Sequence, residues 1–307
     1  MPLGLHWEEL SSLCQPDGGS FRVRSRAEAS RFCRRWTRRH AENFPVASLL
    51  LPRRTRPHVT HLYAFARLAD DIADHPEAPA EEKLALLQLL EESLQQVLRR
   101  QPSSGNPILL ALADTLQATR LPQALLRRLL VAFRYDAAFR PFPSWEELFW
   151  YCHHSANPIG EALLWLHRSC TPKALCASNA LCTALQLLNF WQDLSLDLPR
   201  GRLYLPRELL KRLELEALAL WENPTKLQLC LAEFDSVVAN LLQRAERGLH
   251  DIGHSRLRCQ TLVTLAAAHR LRQRLRQLGS RILYRRPQLG LGDGIPLLIQ
   301  AWKLRRR

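Results

Sequence analysis

The sequence predicts an all-helical (all-α) fold, and three observations carry that prediction. Leu, Ala, Arg, Gln and Glu dominate the 307 residues, only 12 are Gly, and alternating Val/Ile/Thr runs are almost absent. Apolar residues recur at three- and four-residue spacings in segments such as Glu81–Arg99 and Phe234–His250. Prolines fall between the periodic segments, at Pro45, Pro52 and Pro57, Pro76 and Pro79, Pro102 and Pro107, Pro141 and Pro143, and Pro199 and Pro206. Each marks a helix boundary, because proline lacks the N–H and clashes with the preceding turn. A hydrophobic fraction of 47% supplies a core and excludes wholesale disorder. With no Ser/Gly linker and no repeat of fixed period, a single-domain helical bundle is expected.

Taken in order, the chain divides by charge as well as by periodicity. The first nineteen residues carry three acids, and Met1–Ser20 lacks a basic region followed by an apolar run, so no secretory signal is expected. Ser20–His40 holds eight Arg and one Glu, and residues 1–40 read as a basic N-terminal extension with the first helix of the domain. Pro57–Asp74 reads as a helix with Pro57 in its first turn and Pro76 beyond its end. Ala174–Gln192 is uncharged and nearly long enough to cross a bilayer. It carries Ser178, Asn179, Thr183, Gln186, Asn189 and Gln192, which excludes a lipid-facing helix. Pro199 and Gly201 stop the helix that follows, Gly201 taking the left-handed conformation of a C-terminal cap. Arg244–Arg307 holds 15 Lys+Arg against three acids, and residues 291–307 read as a basic amphipathic tail. The formal charge of +14 therefore belongs to the two ends of the chain.

Two carboxylate stripes stand out. At about 100° per residue, Tyr63, Arg67, Asp70 and Asp74 share an arc of roughly 60°, with Leu62, Phe65, Ala69 and Ile72 left for packing. Carboxylates at i and i+4 repel by a few tenths of a kcal/mol. Either Arg67, acting on Asp70 and Asp71, or a divalent cation offsets that cost. Gln186, Asn189, Asp193 and Asp197 form a second stripe on an otherwise apolar helix, with Leu187, Leu188, Trp191 and Leu194 as packing surfaces. Buried polar stripes are costly unless their members bind one another, water or a ligand. Hard oxygen donors suit Mg²⁺, which lets carboxylates hold a diphosphate and stabilise it as it leaves. A lone DxxxD is common on solvated helices; two on apolar helices are much rarer.

The motifs resemble the squalene/phytoene synthase family over about 43–205, and more loosely to about 285. The first aspartate motif is Tyr63-Ala-Phe-Ala-Arg67-Leu-Ala-Asp70-Asp71-Ile-Ala-Asp74. The second is Gln186-Leu-Leu-Asn189-Phe-Trp-Gln-Asp193-Leu-Ser-Leu-Asp197, followed by Gly201-Arg202-Leu-Tyr204-Leu-Pro206. Between them Tyr151-Cys-His-His-Ser-Ala-Asn-Pro-Ile-Gly160 stands where the family carries a YC..VAG..G segment. The resemblance implies the isoprenoid (class I terpenoid) synthase fold, a catalytic domain over 41–290 with a central cavity, and Mg²⁺ held by Asp70, Asp74, Asp193 and Asp197 with Asp71 nearby. Most members have Arg where this chain has Gln192. That departure, the Ser155–Pro158 segment and Asn43-Phe-Pro-Val-Ala-Ser48 resemble the bacterial hopanoid-pathway branch that makes hydroxysqualene.

That branch takes presqualene diphosphate, removes diphosphate, rearranges the cyclopropyl cation and adds water, with no NADPH expected. On this resemblance Arg56, Arg67 or Arg202 helps to grip the diphosphate, and Asn43, Gln186, Asn189 and Tyr204 join the substrate-binding set. Tyr63 is counted with the catalytic aspartates, and Asn157, His154 or Asn189 orients the water. The alternative is complete head-to-head condensation of two farnesyl diphosphates; a non-catalytic helical adaptor is disfavoured because all five aspartates are present.

No zinc finger or RNA-reading signature accompanies the basic charge, so nucleic acid is not an expected partner. A membrane surface is the expected one, with Leu297, Leu298, Trp302 and Leu304 beside four cationic residues in Gly294–Arg307. The expected location is cytoplasmic, peripheral on the inner face of the membrane that receives the polyprenyl lipid product. Docking to the synthase that supplies presqualene diphosphate is a further partnership to test. Eight cysteines without CxxC spacing read as buried thiols, and Trp150, Trp165 and Trp191 as core or cavity aromatics.

Overall fold

The structure, a computed structural model, describes residues 5–39, 51–216 and 220–305. Asn43 and the segment 43–48 lie outside them. The chain forms two compact units, Met1–Phe139 and Arg140–Arg307. Among the described residues both are built from helices, with one isolated antiparallel bridge between Val23 and Gly105. No helix described is long and apolar enough to cross a membrane.

The first unit contains α1 (Trp7–Cys14), α2 (Arg26–Arg39), α3 (Arg56–Ala73), α4 (Ala80–Arg100), α5 (Pro107–Thr119) and α6 (Ala124–Ala137). α3 packs against every other helix described in this unit. Leu62, Phe65, Ala69 and Ile72 are buried, as the helical wheel requires. Pro57 lies in its first turn and Asp74 caps its C-terminus. On the far side of α3 lies a polar network centred on the buried His61 and Thr115. His61 Nδ1 lies 2.9 Å from Thr115 Oγ1, His61 Nε2 2.9 Å from Ser30 Oγ, and His58 Nδ1 3.1 Å from Thr115 Oγ1. Asn106 caps α5, accepting from the Ile108 and Leu109 amides and donating to the Leu13 and Gln15 carbonyls.

The second unit contains α7 (Trp145–Ser155), α8 (Asn157–Leu166), α9 (Pro172–Gln192), α10 (Leu194–Asp197), α11 (Arg207–Arg212), α12 (Pro224–Gly248), α13 (Ser255–Leu278) and α14 (Gly294–Arg305). α9 is central here and packs against α7, α8, α12 and α13. Small residues permit the close approach. A Cβ at Gly160 of α8 would meet Ser178 and lie 2.6 Å from Cys182 Sγ. A Cβ at Gly248 of α12 would lie 2.7 Å from Ala177 Cβ. Asn157-Pro158 starts α8 directly after α7, so the proline breaks the helix there.

Several expectations change. Trp191 is core, whereas Trp150 and Trp165 are exposed. Cys170, Cys176 and Cys259 are exposed, while Cys14, Cys33, Cys152 and Cys230 are buried. The last helix packs on α13 and buries Ala301 and Leu304, so Leu304 is not available to a membrane; among its described side chains, which do not include Trp302, the exposed large apolar ones are Leu298 and Ile299.

Candidate active site

Both aspartate clusters stand at the C-terminal ends of the helices at the centre of their units. Asp70 and Asp71 lie in the last turn of α3, and Asp74 is its C-cap. Asp193 is the C-cap of α9, and Asp197 closes the short α10. The C-terminus of a helix carries the negative end of its dipole, which disfavours a carboxylate by about 0.3–1 kcal/mol. Each cluster is thus a place that calls for a cation.

In the first unit that cation is Arg67. Its Nη1 donates to Asp70 Oδ2 at 3.0 Å and its Nη2 lies 2.7 Å from Asp71 Oδ1. Burial works against the guanidinium's charge, but Asp71, then Asp70 and Tyr63, outweigh it and raise its pKa. The Asp71 side chain is only 10% exposed, against 42% for Asp70. Arg67 Nε is buried with no hydrogen-bond partner among the described residues. Arg56 lies in the first turn of α3 and gives its Nε to the Leu51 carbonyl at 2.9 Å.

In the second unit the stripe does not run on one continuous helix. α9 ends at Gln192, Asp193 takes φ −95° and ψ 6°, and its carbonyl accepts from both Leu196 and Asp197 at 2.8 and 2.9 Å. Beyond it the chain tightens into a 3-10 turn over Leu198–Arg200, where Pro199 cannot continue an α ladder. Gly201, at φ 73°, caps that turn as its sequence position predicts. Gln186 is half-buried and Asn189 exposed. The Arg202 amide donates to the Asp197 carbonyl at 3.0 Å. Tyr204 is buried, its ring stacked on Phe190 with centroids 3.9 Å apart.

Asp193 is held by a residue that sequence reasoning missed. Arg286 grips it with both prongs, Nε on Oδ1 and Nη2 on Oδ2 at 3.2 Å. Beside it Gln192 Nε2 donates to the Pro287 carbonyl at 2.6 Å. Helical spacing carries no signal for a partner 93 residues away.

Two further candidates lie on α7 and α8. The His154 ring lies tilted by 40° against Trp150, centroids 4.3 Å apart, and its Nδ1 donates to the Trp150 carbonyl at 2.8 Å. In a neutral ring that bond leaves the lone pair on Nε2. Asn157 is buried, and its Oδ1 accepts from Thr183 Oγ1 at 3.0 Å.

Among the described residues no three His, Cys, Asp or Glu side chains gather to hold a metal ion. Mg²⁺ commonly takes only one or two protein carboxylates and completes its octahedron with water and phosphate oxygens. Hard carboxylate donors placed where a helix end already disfavours negative charge fit that ion.

The squalene/phytoene synthase family profile matches residues 37–293. The chain is 35% identical to a hydroxysqualene synthase of Rhodopseudomonas palustris over 233 residues, which is 75% of this chain and 78% of that protein. It is 33% identical to a phytoene synthase of Mycobacterium tuberculosis over 186 residues, 61% of this chain and 60% of the other. Among solved structures, a squalene synthase from Alicyclobacillus acidocaldarius superposes with a TM-score of 0.76 at 30% identity, covering 83% of this chain and 95% of that one.

Proposed function

The chain belongs to the squalene/phytoene synthase family, and from that premise we propose that it is a magnesium-dependent hydroxysqualene synthase of hopanoid biosynthesis. It takes presqualene diphosphate to hydroxysqualene and diphosphate, as a carbon–oxygen lyase. The observation that carries this reading is the pair of aspartate clusters, each at a helix end that needs a cation. The likeness to the R. palustris hydroxysqualene synthase supports the branch.

Mg²⁺ on Asp70, Asp71 and Asp74 and on Asp193 and Asp197 would neutralise the diphosphate and accept the charge that develops as it leaves. Arg67, Arg56 and Arg202 add cationic donors for its oxygens. The C–O bond breaks and its electron pair departs with the diphosphate. The resulting cyclopropylcarbinyl cation rearranges to a linear allylic cation, and a water oxygen attacks it. His154 Nε2 carries the lone pair that takes the water proton, since Nδ1 is committed to Trp150. The Asn157 amide orients that water while Thr183 holds its carbonyl in place. Oxygen comes from water, so the reaction as proposed uses no NADPH.

Product analysis tests this. Presqualene diphosphate with Mg²⁺ should give the C30 alcohol with or without NADPH, and farnesyl diphosphate alone should give nothing. A hydrocarbon from either substrate would favour head-to-head condensation.

The protein is placed, in the same reading, peripherally on the inner face of the cytoplasmic membrane. Arg31, Arg34, Arg35 and Arg38 are exposed along one face of α2, and Leu298 and Ile299 are exposed on α14. Co-sedimentation with anionic but not neutral liposomes is the expected result, and equal recovery with both would refute the placement.

A further inference from the structure

The segment 284–290 crosses the second aspartate cluster as an exposed span between two fixed ends. Upstream, Ile282 and Leu283 are buried in the 3-10 turn that follows α13. Downstream, Asp293 is almost fully buried and anchored by two arginines of α13, Arg274 at 2.6 Å and Arg270 at 3.4 Å. Arg274 also reaches the Gln288 carbonyl, and the Gly290 amide donates to Asp293 at 2.8 Å. Between these ends Tyr284, Arg285 and Arg286 are exposed.

Two side-chain contacts hold the middle of the span to α9. One is the two-pronged grip of Arg286 on Asp193. The other is the Gln192 amide on the Pro287 carbonyl. They come from the last residue of α9 and its C-cap and fasten consecutive residues of the span. We propose that this is a latch: Arg286 is a stand-in cation on Asp193, and Asp193 exchanges it for a divalent cation, which releases 284–290 from the site.

The proposal rests on the magnesium reading above. Its physical basis is competition for one carboxylate. A bidentate guanidinium uses the two oxygen faces best placed for a metal and satisfies the charge that the helix end disfavours. The pair is partly exposed, with side chains 36% and 28% accessible, so it is a weak competitor that a divalent ion can displace. Gln192 matters because an uncharged amide can fasten Pro287 without adding a second cation beside the aspartate.

The test uses the full chain, MgCl₂ and inorganic diphosphate. Hydrogen exchange is followed over 284–290, where the Tyr284, Arg285 and Gly290 amides are bonded, and Mg²⁺ affinity is measured by calorimetry. In the wild type, Mg²⁺ with diphosphate should speed exchange over this span about fivefold. In Arg286→Gln exchange should start fast and stay insensitive, and Mg²⁺ should bind about fivefold more tightly, the equivalent of about 1 kcal/mol. Gln192→Ala should raise starting exchange while leaving the Mg²⁺ response in place. Arg286→Lys, which keeps charge but loses the fork, guards against a folding defect and should fall between wild type and Arg286→Gln.

If Mg²⁺ binds and exchange over 284–290 does not change, the latch is wrong and the metal reading stands. Weaker Mg²⁺ binding by Arg286→Gln also overturns the latch, because Arg286 would then support the ion. If no Mg²⁺ binds at all, the metal reading fails and the latch fails with it.

Discussion

The two aspartate clusters are balanced in opposite ways. In Met1–Phe139 the cation is local: Arg67 precedes Asp70 and Asp71 by one turn on the same helix and bonds both. In Arg140–Arg307 the cation on Asp193 is Arg286, carried by an exposed span 93 residues further along the chain. A cation on the same helix is in place as soon as the helix forms and leaves only by a rotamer change against buried neighbours. One on a surface span is held by the span's own weak fastenings. The first cluster is therefore built to keep its positive charge, and the second to exchange it.

The helices behind the clusters differ too. α3 is fixed on its far side by hydrogen bonds from His61 to Thr115 and Ser30. α9 is fixed by close approach at Gly160 and Gly248, where no side chain intervenes. One support is polar and titratable, the other steric.

The largest expected effect comes from removing the carboxylates themselves, which treats the two clusters alike. Asp70→Asn and Asp193→Asn should each lower turnover of presqualene diphosphate by at least about 100-fold, followed by diphosphate release. Unchanged turnover in either variant would take that cluster out of the reaction and dissolve the comparison. Removing the local cation comes next. Arg67→Ala strands the nearly buried Asp71 carboxylate and should cost about 2–3 kcal/mol in urea unfolding. A loss under about 0.5 kcal/mol would mean Asp71 finds another cation or water.

The two supports separate by pH. Burial, with His58 and Arg34 adding repulsion, lowers the His61 pKa to about 4, below its unfolded value of about 6.5. The unfolded chain then binds more protons between these values, so stability is full above about pH 6.5 and falls as pH drops toward 4. From pH 7 to pH 5 the wild type should lose about 2 kcal/mol through this group, and His61→Gln should lose correspondingly less. A slope unchanged in His61→Gln would assign the acid sensitivity elsewhere. Gly160→Ala, by contrast, should cost about 1–2 kcal/mol through overpacking against Ser178 and Cys182, and equally at both pH values.

How much was legible in the sequence follows the same division between local and distant. Helix type, the proline boundaries, the buried face of α3, the pairing of Arg67 with its aspartates and the Gly201 cap are consequences of neighbours within a turn or two. Spacing alone places them. The break at Asp193 was not legible, because a helical wheel assumes that α9 continues until Pro199. Arg286 and the His61–Thr115–Ser30 network depend on segments that meet only after folding, and no periodicity encodes such meetings. Leu304 shows the limit of composition: an apolar residue among arginines reads equally as an anchor or as packing, and α13 takes it as packing.

The smallest effect separates the clusters most cleanly. Arg286→Gln removes a cation from a carboxylate that is 28% exposed and reachable by water, so the global cost in urea should stay under about 1 kcal/mol. Arg67→Ala should cost at least twice that, because Asp71 lies in a drier place. The pair of measurements is informative as a ratio. If both variants lose the same stability, Arg286 is as structural as Arg67 and the second cluster is not built for exchange. If Arg286→Gln loses almost nothing while Arg67→Ala loses 2 kcal/mol or more, the difference in sequence separation has become a difference in function. One unit then keeps its arginine on its carboxylate pair, and the other supplies a carboxylate whose arginine can be exchanged.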